Sequence, residues 1–592
     1  MKLLSYLFPA VTVFLLSLFF LNVPDLRHSR IKTADSGKMS SAEILALFAI
    51  TAVYAAVAFF NLGKTSSPQS FVKFSSGEQA VIELEESADI SGFRIYTGIN
   101  IGSYQIETST DGTDYLISAS FTQDYTSLLK WHDLEAAGEN VKYVRVTATG
   151  NVWLGELAVL DENRQTVPLK AAGTGAALAD EQELVPAYST YLNSTYFDEI
   201  YHVRTAVEHL NDIKPYEISH PPLGKILIGI GIRLFGLTPF GWRFMGTLFG
   251  VFMLPAMYIL LKKMFSGMLV PVCGTVLLAT DFMHYVQTRI ATIDSFSVFF
   301  ILLMYLFMYL YITEDRKRWL ALSGIFFGFG AATKWICLYA GAGLGIIWAA
   351  RWVIEFIKNR ESAGQILAGF FKNCLFCVCF FVIIPGIIYY LSYYYYGTAA
   401  GLKGPGMLFS KEYLSIVLEN QKSMFSYHSG VNATHPYSSR WYQWVLNIRP
   451  ILYYLQYYSD GTRSSFGAYV NPALCWGGLI AILMLIYVAV RHRDRKAAFI
   501  VTGYLAQLVP WMFVDRILFE YHYFACTLFL VMALSYIFAL VRDNMPRGRY
   551  LAASYAALSF ILFAAFYPTL SGFRVDSTSA SALLAWLPTW PF

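Results

Sequence analysis

Twelve apolar stretches, most of them close to twenty residues long, recur along this 592-residue chain. A helix needs about 20 apolar residues to cross the hydrocarbon core of a bilayer. We expect spans at approximately 5–23, 41–61, 242–261, 268–286, 292–312, 319–335, 337–353, 371–395, 472–490, 497–514, 520–541 and 550–567. Only 14% of the residues are charged, whereas a soluble protein carries about a quarter. The sequence therefore predicts a polytopic α-helical membrane protein.

Basic residues indicate how these spans are oriented. They lie in linkers at 27–38, 262–263, 316–318, 358–372, 491–496 and 542–549. With twelve spans, all of these linkers fall on one side, and Lys and Arg in short loops mark the cytoplasmic side. We therefore expect the segment 62–241, the loop 396–471 and the C-terminal tail outside the cytoplasm. A cleaved signal peptide is the alternative for residues 1–22, but a translocated 27–38 would break the pattern, so we favour a retained anchor.

Residues 68–170 differ in character from the rest of the chain. Apolar and polar residues alternate at 81–85, 92–96, 104–108 and 143–147, which is the period of strands with one buried face. The polar segments contain no Cys, so disulfides do not stabilise this domain. Residues 171–187, rich in Ala, Gly and acidic residues, have the composition of a linker. We expect an extracytoplasmic antiparallel β-sandwich followed by a short connection.

Two adjacent carboxylates, Asp198 and Glu199, follow this connection and lie among aromatic residues ahead of a membrane span. Such a pair is commonly a solvated loop. Close to the membrane, however, at least one carboxylate can be desolvated. Neighbouring side chains on a helix point in different directions. We therefore expect one carboxylate to act as a base and the other as its orienting partner.

Further charged residues lie at the predicted external ends of spans. His220 and Lys225 flank tandem prolines at the start of an apolar run, where a helix N-terminus can bind phosphate; an interfacial helix whose Lys reaches water is the alternative. The others in or beside spans are Arg243, Arg289, Asp294, Lys334, Arg516 and His522. Charges are costly in a membrane and tend to be functional there, although a structural salt-bridge network would also explain them.

Some classes of site and partner are disfavoured. The net charge of +4 and the absence of a basic tract argue against nucleic acid. Cys374, Cys377 and Cys379 are close in sequence, but no His or carboxylate accompanies them, so ordinary buried thiols are favoured over a metal site. The carboxylates could hold a divalent metal ion, although no ligand cluster requires one. No other cofactor is indicated.

The ordered set of motifs resembles the protein O-mannosyltransferase family, whose members have the GT-C glycosyltransferase fold. The resemblance covers about residues 190–545. It rests on Asp198-Glu199, His220-Pro-Pro-Leu-Gly-Lys225, Trp242-Arg243, Arg289 with Asp294, Lys334-Trp335, His435-Pro-Tyr-Ser-Ser-Arg440-Trp441-Tyr-Gln-Trp444 and His522-Tyr523. Eukaryotic members carry a β-trefoil domain in the later external loop, which is only about 75 residues long here. A prokaryotic relative in the plasma membrane is therefore expected.

The resemblance implies a chemistry and a set of roles. A sugar, typically mannose, would move with inversion from a polyprenyl-phosphate donor in the membrane to an acceptor hydroxyl, with protein Ser or Thr expected. Asp198 would be the base and Glu199 its orienting partner. Lys225, Arg243, Arg516 and His522 would bind the donor phosphate. The further site candidates are His220, Arg289, Asp294, Lys334, Arg440 and Trp441.

The domain layout and the alternatives follow from this. We expect two N-terminal spans at 1–62, the β-sandwich at 68–170, the linker at 171–187, a GT-C domain at 188–570 and an external tail at 571–592. The sandwich resembles the discoidin-like, galactose-binding jelly roll, whose loops often bind carbohydrate; a spacer without a ligand is the alternative. A glycan or lipid acceptor would suit such a domain. A flippase of lipid-linked sugars is the alternative hypothesis from another functional class. Transporters often contain an internal repeat, and this sequence has none.

Overall fold

The computed structural model describes residues 2–26, 31, 38–359, 363–430 and 433–591. The chain forms two compact units. One, here called the β unit, comprises Asn61–Asn211 and Lys225–Met245, and the other, here called the helical unit, comprises Met1–Phe60, Asp212–Gly224 and Gly246–Phe592. Each unit is described by itself below.

The helices account for most of the chain. In chain order they are α1 Lys2–Leu21, α2 Ser41–Phe59, α3 Glu199–Leu210, α4 Leu223–Phe235, α5 Pro239–Met264, α6 Leu269–Ala279, α7 Phe282–Thr288, α8 Asp294–Glu314, α9 Lys317–Ala331, α10 Ile336–Lys358, α11 Ala363–Val378, α12 Ile384–Ser392, α13 Tyr394–Ala399, α14 Lys411–Gly430, α15 Trp441–Trp444, α16 Pro472–Arg491, α17 Arg495–Leu508, α18 Phe524–Asn544, α19 Gly548–Phe566, α20 Pro568–Ser571 and α21 Ser577–Leu584.

The predicted membrane spans correspond to helices in the part of the chain that the structure describes, and the number of twelve stays a prediction. Within the described residues, eight helices have the length and composition to cross a bilayer: Ser41–Phe59, Pro239–Met264, Asp294–Glu314, Ile336–Lys358, Gly364–Ala399, Pro472–Arg491, Glu520–Asn544 and Gly548–Phe566. The predicted span 268–286 is α6 and α7, which meet at a 56° bend and would make a ninth. The predicted spans 319–335 and 497–514 are α9 and α17, with 15 and 14 residues, and a 3-10 helix at Val509–Phe513 continues the second of them.

The helical unit is organised around α18. Every residue from Phe524 to Val541 is buried, and a helix that is apolar all round belongs in a core. By contrast, only 6% of the most apolar 18-residue stretch in Gly364–Ala399 is buried. This helical segment therefore lies at the edge of the unit. The predicted loop 396–471 is not irregular, because it contains α14 and a hairpin of β9 Ile451–Tyr457 and β10 Thr462–Ala468, to which β11 Val575–Asp576 adds a strand.

The β unit contains the antiparallel sheet that the alternating pattern predicts. Its strands are β1 Val72–Phe74, β2 Gln79–Thr97, β3 Gly102–Ser109, β4 Leu116–Gln123, β5 Trp131–Ala148, β6 Val152–Leu160, β7 Thr166–Val167 and β8 Leu169–Lys170. The main order is β1-β6-β2-β5-β3-β4, with β7 beside β6 and β8 beside β2. The pairing of β2 with β5 shifts register three times, as bulges in a bent strand do. The likeness to a discoidin-like jelly roll stays a prediction.

The segment 171–187 packs onto this sheet. Leu178 is fully buried in the apolar core that β2, β3, β5 and β6 share. A Cβ on Gly175 would lie 2.5 Å from the carbonyl oxygen of Val81, so this backbone approaches the strand too closely for a side chain. The segment that follows, with Asp198 and Glu199, thus emerges from a well-packed domain.

Candidate active site

Asp198 and Glu199 stand at the start of α3 in the β unit. Phe197 has a φ of 47°, and this left-handed residue turns the chain into the helix. The Asp198 carbonyl accepts hydrogen bonds from the amides of Tyr201 and His202. The Asp198 side chain is half-buried, whereas Glu199 is fully buried. The two carboxylates therefore have different environments, as expected from their neighbouring positions on a helix.

Glu199 is held by Arg243 from the start of α5. Arg243 Nε donates to Glu199 Oε1 at 2.7 Å, and its Nη2 donates to Glu199 Oε2 at 2.8 Å. The remaining guanidinium hydrogens go to the carbonyls of Leu62, Tyr191 and Ser194. Arginine has five N–H donors, so this set uses all of them. None is left for a donor phosphate, the role that the resemblance implies for Arg243.

Lys225, another predicted phosphate ligand, lies in the first turn of α4 in the β unit. Its side chain is fully buried. An ammonium group can remain charged in such a place only with hydrogen-bonding partners. Lys225 is thus one of the buried polar residues of the β unit.

The helical unit contains a cavity of about 270 Å³ with cationic and aromatic walls. Its lining comprises His220, Lys334, Trp335, Ile336, Tyr339, Phe425, His428, Ser429, Trp511, Val514 and Arg516. Three of the predicted site residues, His220, Lys334 and Arg516, thus meet here. Aromatic walls with a few convergent polar groups are typical of a small-molecule site, and the cationic side chains of Lys334 and Arg516 suit an anionic ligand.

Lys334 and Asp294 form an ion pair beside this cavity. Lys334 Nζ lies 2.7 Å from Asp294 Oδ1, and both side chains are buried. Asp294 is the first residue of α8, and Lys334 lies in the turn between α9 and α10. The carboxylate therefore fixes the position of the ammonium group at the cavity wall.

Arg516 is half-buried and has a different environment. Its Nη1 donates a hydrogen bond to the carbonyl of Ile517 at 3.3 Å, and among the described residues Arg516 forms no ion pair. It also lines a second cavity of about 350 Å³, together with His435, Ser438, Arg440 and Asp515. This guanidinium is therefore available to an anionic ligand in either cavity.

Two histidines complete the cavity wall. His428 Nε2 lies 2.8 Å from the carbonyl oxygen of Ser219, and its ring meets that of His220 edge to face at 5.3 Å. His220 Nδ1 is 3.3 Å from Glu217 Oε1. Burial lowers the pKa of His428, and the nearby charges of Arg516 and Lys334 lower it further. The neutral form of His428 is therefore favoured. Nothing in the sequence distinguishes His428, because it is a single histidine on a polar helix of the 396–471 loop.

The remaining predicted residues lie elsewhere in the helical unit. Arg289 donates to the carbonyls of Ala58 and Phe60, so it caps the C-terminal end of α2. Trp441 lines neither cavity. Instead, Trp444 stacks on His522 at 5.9 Å, and His522 meets Trp511 of the cavity wall at 4.5 Å. His522 therefore supports that wall from behind Trp511.

An apolar groove lies further along α10, the helix whose first residues line the cationic cavity. It has a volume of about 250 Å³ and is lined by Met308, Leu320, Phe327, Gly341, Leu344, Gly345, Trp348, Cys377 and Phe381. Ile336 and Tyr339 of α10 line the cationic cavity, and Gly341 follows Tyr339 by two residues. One helix thus carries a polar site at its start and an apolar groove further along.

A metal site is not indicated at Asp198. Within the described residues, the compact group of carboxylates is Glu156, Asp180 and Glu181 on the β unit, and Glu156 accepts hydrogen bonds there from Gln182 and from the amide of Glu181. Acidic groups of this kind are common without an ion.

Two family models match this chain. The model described as dolichyl-phosphate-mannose-protein mannosyltransferase matches residues 237–396. The model described as the C-terminal four TMM region of protein-O-mannosyltransferase matches residues 413–590. Together the two ranges cover more than half of the chain.

Individual relatives agree with the family models. The polyprenol-phosphate-mannose–protein mannosyltransferase of Mycobacterium tuberculosis is 26% identical over 435 residues, which are 63% of this chain and 81% of the relative. That of Corynebacterium glutamicum is 24% identical over 428 residues, with the same coverage of 63% and 81%. The solved S. cerevisiae protein O-mannosyltransferase Pmt1-Pmt2 complex bound to the sugar donor matches with a TM-score of 0.59 and 14% identity, covering 67% of this chain and 89% of that chain. At this identity the structural likeness shows the fold.

Proposed function

This chain belongs to the protein O-mannosyltransferase family, and we propose on that basis that it transfers mannose from a polyprenyl-phosphate donor to a protein. Its acceptor groups are Ser and Thr hydroxyls, and the reaction inverts the configuration at the sugar carbon. The relatives' names give the donor and the class of acceptor.

One observation carries this proposal: a cationic cavity and an apolar groove follow one another along α10. A polyprenyl-phosphate sugar is an amphiphile with an anionic phosphate between a sugar and a long apolar chain. Its phosphate needs cations at the membrane edge, and its chain needs an apolar surface among the spans. The start of α10 supplies Lys334, and Gly341 and Gly345 leave room beside the helix further along.

Lys334 and Arg516 bind the donor phosphate in this proposal, with His220 beside them. Both cations line the same cavity. They stabilise the negative charge that builds on the phosphate as it leaves, which is commonly the largest catalytic effect in such a site. Arg243 takes a positioning role instead, because its five N–H groups are bound within the β unit.

Asp198 is the base. Its carboxylate removes the proton from the acceptor hydroxyl while that oxygen bonds to the anomeric carbon of mannose. The bond from that carbon to the phosphate oxygen breaks at the same time, and the polyprenyl phosphate leaves with the electron pair. Glu199, bound on both oxygens by Arg243, fixes the start of α3 and hence the position of Asp198.

The reaction takes place outside the cytoplasm, at the plasma membrane of a prokaryote. The support for this orientation is the collection of Lys and Arg in the linkers on the opposite side of the spans. The 62–241 segment, with Asp198, then faces the compartment in which the acceptor is found.

The test uses the full-length protein in lipid nanodiscs with a radiolabelled polyprenyl-phosphate-mannose and a Thr-containing peptide. We expect Asp198→Asn to lower kcat by about a thousandfold, the range of general-base catalysis. Asp212→Asn, at an exposed position, is the matched control and should transfer normally. If Asp198→Asn transferred mannose at the normal rate, Asp198 would not be the base. Movement of the donor across vesicles without any transfer would favour a flippase instead.

A further inference from the structure

Strand β4 forms an open edge of the sheet in the β unit. It pairs with β3 from Gly102↔Gln123 to Thr108↔Leu116. On its other side no strand lies among the residues that the structure describes. Eight residues of strand extend for about 26 Å, and alternate residues point their backbone N–H and C=O groups away from β3. These groups can pair with another extended chain.

This edge lacks two of the features with which proteins protect edge strands, although a register shift at Ser118 interrupts its pairing with β3. Residues 116–123 contain no charged residue and no Pro, the usual means of preventing unwanted pairing. Leu116 and Ile117 are 75% and 60% exposed. Ser120 and Thr122 are exposed further along the strand. The edge therefore favours an uncharged, extended polypeptide as its ligand.

The loop after β4 is bound to the segment that carries Asp198. The hydroxyl of Thr195 donates to the carbonyl of Leu128 at 2.7 Å, and the Thr195 amide donates to the carbonyl of Leu129 at 3.1 Å. The amide of Trp131 donates to Ser194 Oγ at 3.1 Å. The end of β4 and the start of α3 are thus fixed to one another within the β unit.

Two tyrosines cover this connection. Tyr125, two residues after the end of β4, stacks on Tyr201 of α3 with ring centroids 6.1 Å apart and an angle of 17° between the rings. Tyr125 is 43% exposed and Tyr201 is half-buried. Residues three apart are neighbours on a helix surface, so Tyr201 lies on the same side of α3 as Asp198. A chain that leaves the β4 edge across this pair reaches the catalytic carboxylate.

We propose that the β4 edge, the stacked pair Tyr125–Tyr201 and Asp198 form one track that binds the acceptor protein as an added β-strand. The acceptor is an extended, uncharged, Ser/Thr-rich segment, and backbone hydrogen bonds to β4 hold it, as in other cases of strand addition. The modified hydroxyl lies a few residues beyond the paired segment. This inference rests on the proposed function, because it gives a role to Asp198.

Disulfide cross-linking tests where the acceptor lies. All seven native cysteines are in the helical unit, so Ser120→Cys places a single exposed thiol on the β unit. The matched control is Ser87→Cys, at an exposed position on β2. We expect a Thr-containing peptide with an activated Cys a few residues away to link to Ser120→Cys at least about fivefold more than to Ser87→Cys. Equal linkage would overturn the proposal, as would linkage of Ser120→Cys only to a second copy of the chain.

Backbone methylation of the acceptor tests the type of contact in the wild-type protein. An added strand uses the N–H groups of alternate residues only. Peptides methylated on alternate amides in one phase should show a KM raised by about tenfold or more, with kcat unchanged, and those in the other phase should behave normally. Equal KM values for both phases would overturn strand addition. Failure of the wild type to mannosylate the unmethylated peptide, with selective linkage to Ser120→Cys retained, would instead count against the proposed function.

Discussion

Arg243 and Glu199 form a bidentate ion pair in which both side chains are completely buried. The two residues are 44 positions apart, and their contact ties the start of α5 to the start of α3. A buried pair of this kind adds little net stability, but losing one partner costs about 3–5 kcal/mol. The pair is therefore suited to hold the neighbouring Asp198 at a defined position.

Replacing this arginine by lysine should impair catalysis more than donor binding. Lysine keeps the charge but cannot form the two parallel hydrogen bonds, so the start of α3 loses its fixed position. We expect Arg243→Lys to lower kcat by about a hundredfold while the KM for the donor changes less than about twofold. Arg164→Lys, in an exposed pair with Asp133, is the control and should be neutral. A raised KM for the donor with a normal kcat would instead indicate that Arg243 binds the donor phosphate.

The positions of the spans could be predicted from the sequence, because a bilayer imposes one length and one composition on every helix that crosses it. What the sequence could not show is where a helix breaks. The 268–286 stretch is apolar except for Thr275, Thr280, Asp281 and His284, and the 56° bend lies between α6 and α7, at Thr280 and Asp281. The Asp281 carboxylate accepts the amide of His284 and caps α7, a local contact that hydropathy does not register.

The chemistry of the site was partly predictable for a related reason. A charge beside a span is conspicuous, so the sequence marked Lys334, Arg516 and Arg243 alike. Their partners distinguish their roles. Lys334 pairs with Asp294 and still lines a cavity, whereas Glu199 and three carbonyl groups use all the N–H donors of Arg243. Partner choice depends on contacts between distant parts of the chain. His428 was missed because a single histidine carries no such mark.

The role of Lys334 can be separated from the stability of its ion pair. We expect Lys334→Gln to raise the donor KM by about tenfold and to destabilise the protein, because Asp294 is left buried and unpaired. The double variant Lys334→Gln/Asp294→Asn should regain most of the thermal stability but not the donor affinity. Melting temperatures and donor titrations would be measured on all three proteins. Recovery of both properties would show that the pair is only structural.

The β unit should become less stable as the pH rises toward neutrality. Burial raises the pKa of Glu156 to about 7, and the nearby acids Asp180 and Glu181 contribute. The folded state therefore binds more protons than the unfolded state between the ordinary carboxyl pKa and about 7, and stability falls through this window by up to about 3 kcal/mol.

This loss should disappear in Glu156→Gln, which has no charge to bury. Hydrogen exchange of the amides in β6, corrected for intrinsic rates, would be followed from pH 5 to pH 8. Exposed Glu162→Gln is the matched control and should resemble the wild type. A parallel pH dependence in wild type and Glu156→Gln would show that this carboxyl is not responsible.

The groove beside α10 should discriminate donors by the length of their apolar chain. Gly345 lines this groove, and a Cβ there would meet no atom within 4 Å, so a larger side chain can extend into the space without distorting the helix. We expect Gly345→Leu to raise the KM for a long-chain polyprenyl-phosphate-mannose by about fivefold and to leave that for a two-isoprene analogue unchanged. Gly386→Leu is the control, because Gly386 is equally open but lies outside the groove. If both donors lost affinity equally, the substitution would be acting on the phosphate site, and the groove would not hold the chain.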